Sequence, residues 1–133
     1  MTNAPIPMLA PLTILGLDPG LRRTGWGVIT VDGARLAHVA HGVIAPKDSL
    51  PFSERLLVLF EAISEIVERH RPHEAAVEET FVNRDPQGAL KLGQARGVAM
   101  VVPALAGISV SEYAANVIKK TVVGAGHAEK NQV

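Results

Sequence analysis

Three short apolar segments near the start of the chain predict an antiparallel β-meander. Leu12–Leu17 is almost continuously apolar, which is typical of a strand that is covered on both faces. The Asp-Pro-Gly sequence at 18–20 favours a turn, and Thr24–Val31 then predicts a second strand. Asp32-Gly33 is a strong hairpin signal, so a third strand is expected at about Arg35–Ile44.

Helical and strand patterns alternate after the meander. Apolar residues recur every three or four positions between Pro51 and Pro72, which predicts a helix that Pro72 ends. Ser49 is expected to cap this helix. The remaining elements predicted are a strand at Glu74–Phe81, a helix at Gly88–Val102, a strand at Ile108–Tyr113, a short helix at Ala114–Lys120 and the start of another after Gly126. This order implies an α/β fold with a mixed sheet and helices on its faces.

Composition narrows the class of protein. The chain has 133 residues, 47% of them hydrophobic and 20% charged, which suits one domain with a packed core. The sequence has no cysteine, so a disulfide scaffold, a zinc–thiolate site and a thiol nucleophile are excluded within it. Residues 1–11 contain three prolines and are expected to form an extended leader, which leaves residues 12–133 as the domain. The apolar segments are too short to span a bilayer, and the expected location is the cytoplasm.

Acidic residues in two predicted strands are the first candidates for chemistry. Asp18 follows a strand that should be buried, and Glu78 and Glu79 lie within another strand. If the two strands are neighbours, Asp18 and one glutamate converge, and like charges held that close require a cation such as Mg²⁺ or Mn²⁺. Two other interpretations stay open: Asp18 only caps the turn, and the glutamates belong to a solvated edge strand.

Aromatic and basic residues further along are candidates for nucleic-acid contacts. Phe81 stands where a strand should give way to a polar loop, so it either closes the core or stacks on a nucleobase. Lys119, Lys120 and Lys130 flank Gly124-x-Gly126 before a predicted helix. Such an arrangement suits phosphate binding, although the signal is weak on its own.

Small residues form a line on the second predicted helix. Ala89, Gly93, Gly97 and Val101 recur at a spacing of four residues. A line of small residues lets another backbone approach closely. That backbone belongs either to the protein's own sheet or to the same helix of a second copy across a two-fold axis.

The histidines are less informative. His38 and His41 lie three positions apart on a predicted strand, which places them on opposite faces. His70 and His73 lie at the end of a helix, where histidine is favoured electrostatically. No metal role is expected for these four residues.

Five sequence motifs taken together resemble one family. They are Ile14-Leu-Gly-Leu-Asp-Pro-Gly-Leu-Arg-Arg-Thr-Gly-Trp-Gly-Val, Ala76-Val-Glu-Glu-Thr-Phe, Ala89-Leu-Lys-Leu-Gly-Gln-Ala-Arg-Gly-Val, Glu112-Tyr-Ala-Ala and Lys120-Thr-Val-Val-Gly-x-Gly-x-Ala-Glu-Lys. From about Leu12 to Val133 the chain resembles the RuvC-type Holliday-junction resolvases of bacteria. This resemblance implies a ribonuclease H-like fold, a five-stranded mixed sheet with helices on both faces. It also implies a homodimer that binds four-way junction DNA, with the RuvA–RuvB branch-migration complex as a partner.

The resemblance further implies Mg²⁺-dependent hydrolysis of two symmetrically placed phosphodiesters during recombination and repair, which leaves 5′-phosphate ends. Asp18 and Glu78 match the catalytic, metal-binding carboxylates, with two Mg²⁺ ions (or Mn²⁺) per site in the full-length protein. Phe81 is similar to the aromatic residue that stacks in the opened junction. The resemblance assigns DNA contacts to Phe81, Arg84, Lys119 and Lys130, and the dimer interface to Ala89, Gly93, Gly97 and Val101.

One departure from the family pattern concerns the end of the sequence. Family members continue into a final helix with further acidic or histidine ligands, and this sequence ends at Val133, before that helix. We therefore expect a shortened resolvase in which cleavage is impaired. One alternative is a non-catalytic junction-binding module. Another is a fragment of a sugar kinase or actin-like ATPase, but those proteins need two such domains to enclose ATP.

Overall fold

The computed structural model describes residues 11–79 and 85–114, which form five strands and two helices. In chain order these are β1 Leu12–Asp18, β2 Thr24–Asp32, β3 Arg35–Ile44, α1 Phe52–His70, β4 Glu74–Glu79, α2 Pro86–Leu105 and β5 Ser109–Ala114. The strand order across the sheet is β3-β2-β1-β4-β5. β2 pairs antiparallel with β1 and β3, whereas β4 pairs parallel with β1 and β5. The predicted meander and mixed five-stranded sheet are therefore confirmed.

Both described helices pack on the same face of the sheet, which we call the helix face. Leu15 and Leu17 of β1 and Val77 of β4 are fully buried in the core on that side. The helices contribute Leu59, Ile63, Ile66, Val67, Ala95, Ala99 and Val102 to the same core. Because successive strand residues point to opposite sides, Asp18 and Glu78 lie on the other side of the sheet, the opposite face.

Some predicted elements fall outside the described residues. These are the short helix after Ala114, the helix after Gly126, any helix on the opposite face that they would form, and nearly all of the leader. Within residues 11–79 and 85–114, neither α1 nor α2 has the combination of length and hydropathy that a membrane-spanning helix requires.

The prediction that Ser49 caps α1 is wrong. Pro51 occupies the N-cap position, and no side chain caps this helix. The carbonyl oxygen of Pro51 accepts hydrogen bonds from the N–H groups of Glu54 and Arg55 at 2.9 and 3.0 Å. Ser49 lies two residues before the N-cap, too early for its hydroxyl to take the capping position. At the other end, Arg71 adopts a left-handed conformation and α1 stops before Pro72, as predicted.

α2 begins two residues earlier than the apolar pattern predicts. Asp85 is its N-cap, and the Asp85 carboxylate accepts a hydrogen bond from the N–H of Gln87 at 3.1 Å. Pro86 takes the first helical position, where a missing N–H leaves no bond unmade. The Asp-Pro pair in the sequence indicates where the helix starts. Apolar periodicity alone does not reveal this start. The helix also continues past Pro103 to Leu105, three residues beyond the predicted end.

A β-bulge in β3 changes the faces on which its side chains lie. Val28 pairs with Ala40, but the next residue of β2, Ile29, pairs with His38, so β3 contains one extra residue between them. This extra residue brings His38 and His41 to the same face. Their nearest ring nitrogens are 2.8 Å apart. The prediction that these two histidines lie on opposite faces is therefore wrong.

Leu17→Ala is expected to lower the free energy of unfolding by about 3 kcal/mol, because it leaves a cavity in the core. Leu17 is 0% exposed, whereas Leu12 in the same strand is 42% exposed. Leu12→Ala is the matched control and is expected to cost about 0.5 kcal/mol. Urea unfolding followed by circular dichroism measures both. Equal losses would contradict the assignment of the core to the helix face.

Candidate active site

β1 and β4 bring two carboxylates together at one end of the sheet. The strands are parallel neighbours, and the last pair in their register is Leu17 with Val77. Both of these residues point to the helix face. Asp18 and Glu78 come one residue later, so they lie side by side on the opposite face, whereas Glu79 points back towards the helices. The geometry therefore pairs Asp18 with Glu78 and not with Glu79.

Glu78 is buried within the sheet. β4 lies between β1 and β5, and only 3% of Glu78 is exposed. The interpretation of the two glutamates as residues of a solvated edge strand is therefore wrong. A buried carboxylate destabilises the fold unless hydrogen bonds or positive charge compensate it. Two neighbouring carboxylates repel each other when both are ionised, and a bound cation would relieve that repulsion.

The donor chemistry of this pair suits a divalent cation. The oxygens of Asp18 and Glu78 are hard donors of the kind that Mg²⁺ and Mn²⁺ prefer. Over residues 11–79 and 85–114, no group of three or more His, Cys, Asp or Glu side chains is placed to hold a metal ion. The described part of the chain thus offers two protein ligands, and Mg²⁺ commonly completes its shell with water and substrate phosphate oxygens.

The turn directly after Asp18 is tightly constrained. A Cβ atom on Gly20 would lie 2.5 Å from the carbonyl oxygen of Arg23, so this position requires glycine. Arg55 reaches the turn from α1, and its Nη2 donates a hydrogen bond to the carbonyl oxygen of Leu21 at 3.2 Å. These contacts fix the path of the chain where it leaves the candidate site.

From α2, Arg96 holds the end of the strand that carries Glu78. Its Nε donates to the backbone carbonyl oxygen of Glu78 at 3.4 Å, and its Nη2 donates to Oε1 of Glu112 on β5 at 3.1 Å. The side chains of Arg96 and Glu112 are 21% and 38% exposed, so the ion pair is partly shielded from water. Sequence reasoning assigned no role to Arg96, because only the fold shows that it lies beside β4 and β5.

A glycine and a tyrosine flank the two carboxylates on their face of the sheet. Gly25 pairs with Asp18, and a Cβ atom on Gly25 would lie 3.9 Å from the Cβ of Asp18. Tyr113 pairs with Glu78 on the other side and is 42% exposed. The glycine leaves room for a ligand beside Asp18, and Tyr113 is a neighbour of the site that sequence reasoning missed.

All four predicted DNA contacts lie outside the described residues, and they stay predictions. They are Phe81, Arg84, Lys119 and Lys130. Two other basic residues are described: Arg22 and Arg23 are exposed in the turn after Asp18. They line a small cavity together with Phe52 and Arg55 of α1.

The exposed side of α2 carries the predicted line of small residues. Ala89 is half-buried, but a Cβ atom on Gly93 or Gly97 would meet no atom within 4 Å. Leu90 and Leu105 extend the line at 65% and 70% exposure. We call the exposed set the α2 stripe: Leu90, Gly93, Gly97, Val101 and Leu105. This exposed apolar set is a candidate interaction surface.

Comparison with known proteins identifies the family. The chain matches the family model of crossover junction endodeoxyribonuclease RuvC over residues 14–133. The chain belongs to the RuvC family. The crossover junction endodeoxyribonuclease RuvC of Afipia carboxidovorans is 66% identical over 122 residues, which cover 92% of this chain and 71% of the relative. The RuvC of Bradyrhizobium diazoefficiens is 59% identical over 128 residues, 96% of this chain and 73% of that relative.

Solved structures agree with this family assignment. RuvC of T. thermophilus in complex with a Holliday junction substrate has a TM-score of 0.73 and 29% identity, over 82% of this chain and 68% of that one. The yeast mitochondrial Holliday junction resolvase Ydc2 shares the fold, with a TM-score of 0.55 at 12% identity over 94% of this chain and 60% of that one. The ribonuclease H-like fold implied by the five motifs is thereby confirmed.

The Arg96–Glu112 ion pair is expected to show a coupling free energy of about 1 kcal/mol, because it is partly shielded from solvent. The measurement is a double-mutant cycle of Arg96→Met and Glu112→Gln in urea unfolding. The control is the Arg69–Glu65 pair, at 3.0 Å and with side chains 68% and 70% exposed, which should couple by about 0.3–0.5 kcal/mol. If the coupling free energy of Arg96 and Glu112 is no larger than that of the control pair, then Arg96 does not connect α2 to β4 and β5 as proposed.

Proposed function

We propose that this protein is a structure-selective endonuclease that resolves Holliday junctions during recombination and DNA repair. Family membership supports the enzyme class, since relatives at 66% and 59% identity are crossover junction endodeoxyribonucleases. The T. thermophilus relative is solved in complex with a Holliday junction substrate. The observation that carries the proposal is the position of Asp18 and Glu78 on neighbouring parallel strands, one residue beyond the pair Leu17–Val77.

Asp18 and Glu78 are the proposed metal ligands, for Mg²⁺ or Mn²⁺, with two ions in a complete site. When bound, such ions lower the pKa of a water molecule and stabilise the charge on the attacking and leaving oxygens of a phosphodiester. Asp18 and Glu78 hold their oxygens in place through a rigid sheet, and Gly25 leaves room for the substrate beside them. The proposed products carry 5′-phosphate ends, which can be ligated.

Basic residues near the carboxylates are proposed to bind the DNA backbone. Arg22 and Arg23 are exposed in the turn that follows Asp18, and their charge suits contacts with DNA phosphates. The family resemblance supports further contacts: Phe81 stacking on a base of the opened junction, and Arg84, Lys119 and Lys130 contacting the DNA.

The proposed assembly is a homodimer formed through the α2 stripe. Two symmetric cuts in a junction require two active sites, and a two-fold axis supplies them in the matching arrangement. Gly93 and Gly97 leave open space on the stripe, so the backbones of two such helices can approach closely. Partnership with the RuvA–RuvB complex is part of the same proposal and rests on the family resemblance.

Asp18→Asn, made in the full-length protein, is expected to lower Mg²⁺-dependent cleavage of a labelled four-way junction by at least roughly 1000-fold, since a neutral amide holds a cation much less strongly. Binding of the junction in a gel-shift assay with Ca²⁺ should stay within about twofold of the parent chain. Glu79→Gln is the matched control, because Glu79 points to the helix face, and it should cut at the parental rate. Parental cleavage by Asp18→Asn would exclude Asp18 from the site.

The same assay separates cleavage from binding alone. Resolution of the junction into two nicked duplexes with Mg²⁺, and none with EDTA, supports the nuclease. Junction binding without any cutting, even at high protein concentration, would support the alternative of a junction-binding module.

Gly97→Glu is expected to convert the dimer to a monomer in light scattering, because it places two like charges in the centre of the α2 stripe. The variant should not unfold the chain, since glutamate favours a helix over glycine by about 0.5–1 kcal/mol and the position has open space. Leu57→Glu, at an apolar residue of α1 that is 54% exposed, is the control and should stay dimeric. A dimeric Gly97→Glu variant would place the interface elsewhere.

A further inference from the structure

A pair of histidines on β3 forms a second cluster of potential metal ligands. His38 Nε2 and His41 Nδ1 are 2.8 Å apart, and the rings meet at an interplanar angle of 58° with centroids 4.9 Å apart. The rings therefore approach through their nitrogens and do not stack face to face. β2 lies between this pair and the strand that carries Asp18, so the two clusters are separate.

The backbone of β3 creates this pair. In a regular strand, residues three apart point to opposite faces. The extra residue between Ala40 and His38 in the ladder restores both histidines to one face. Bulges commonly re-aim a side chain for a specific purpose. Both side chains are at the surface of the sheet's outer strand, His41 exposed and His38 half-buried, so an ion from solvent can reach them.

We propose that His38 and His41 form a binding site for a transition-metal dication such as Ni²⁺ or Cu²⁺. Two imidazole nitrogens at right angles around an ion, with metal–nitrogen bonds of about 2.0–2.1 Å, are about 2.9 Å apart. The separation of 2.8 Å in the structure is close to this value. Ni²⁺ and Cu²⁺ favour imidazole ligands and right-angle geometry, whereas a tetrahedral Zn²⁺ would require the nitrogens to move apart.

A metal ion here takes the place of the proton that the two rings share. Each ring turns about its χ2 angle so that both lone pairs converge on the ion. In the described ranges, 11–79 and 85–114, no group of three or more potential ligands gathers, so water completes the coordination shell. The bound ion then links both ends of the bulge, and it should raise the midpoint of thermal unfolding by binding the folded state.

Titration calorimetry with NiCl₂ tests the site on the complete chain, prepared without an affinity tag. His38→Gln and His41→Gln should each weaken Ni²⁺ binding by roughly 100-fold, since each variant removes one of two linked ligands. His70→Gln is the matched control, because it removes one imidazole at the end of α1, and it should bind within twofold of the parent chain. A loss smaller than tenfold in either pair variant, or an equal loss in His70→Gln, would overturn the site.

A second measurement needs no variant. Paramagnetic Ni²⁺ added below one equivalent should broaden the backbone amide signals of residues 36–43 and of their β2 partners 27–29 before any others in a ¹H–¹⁵N spectrum. Broadening that begins instead at Asp18 and Glu78, or elsewhere in the chain, would overturn the site. Neither readout depends on nuclease activity, so failure of the metal site and failure of the proposed function are distinguishable.

Discussion

The parallel pairing of β1 with β4 determines where the candidate catalytic groups lie. Parallel strands cannot be joined by a tight turn, and the chain covers the distance with β2, β3 and the helix α1. The register is set by burial, because Leu17 and Val77 must both face the core. A slip of one residue would turn Val77 away from the helices and bury Glu78 among apolar side chains. The hydrophobic core therefore decides which glutamate stands beside Asp18.

Two arginines connect the helices to the ends of these strands by hydrogen bonds. Arg55 of α1 binds the carbonyl oxygen of Leu21, in the turn that follows β1. Arg96 of α2 binds the carbonyl oxygen of Glu78, near the end of β4. Each contact is made to the backbone on the helix side, while the carboxylates project to the other side. The helical layer thus positions the site without occupying it, and α2 connects the site to the proposed dimer surface.

Patterns that depend on near neighbours in the chain were predictable, and contacts between distant segments were not. The meander follows from alternating apolar runs and the Asp32-Gly33 turn, and the structure has it as expected. The start of α2 differs because Asp85 and Pro86 act through capping, which apolar periodicity does not report. The histidine pair escaped prediction because one extra residue in β3 reverses the faces of a strand, and no local pattern shows it. The place of Arg96 depends on three elements that meet only in the folded chain.

The candidate site was likewise predictable only in part. That Asp18 and a glutamate converge could be inferred from two acidic residues in predicted buried strands. That the glutamate is Glu78 follows from alternation once the strands are known to be neighbours. Tyr113 could not be placed beside Glu78 from the sequence, since that neighbour is set by the pairing of β4 with β5.

The bulge in β3 has a consequence for solubility. β3 is the outermost strand of the described sheet, and it exposes Leu36, Val39 and Val43 by 48%, 46% and 59%. A long, regular and apolar border of this kind invites another polypeptide to add a strand and so begin aggregation. One extra residue interrupts the even spacing of the outward hydrogen-bonding groups, so an incoming extended chain cannot match the border along its whole length. The bulge thus protects the exposed border of β3 from strand addition.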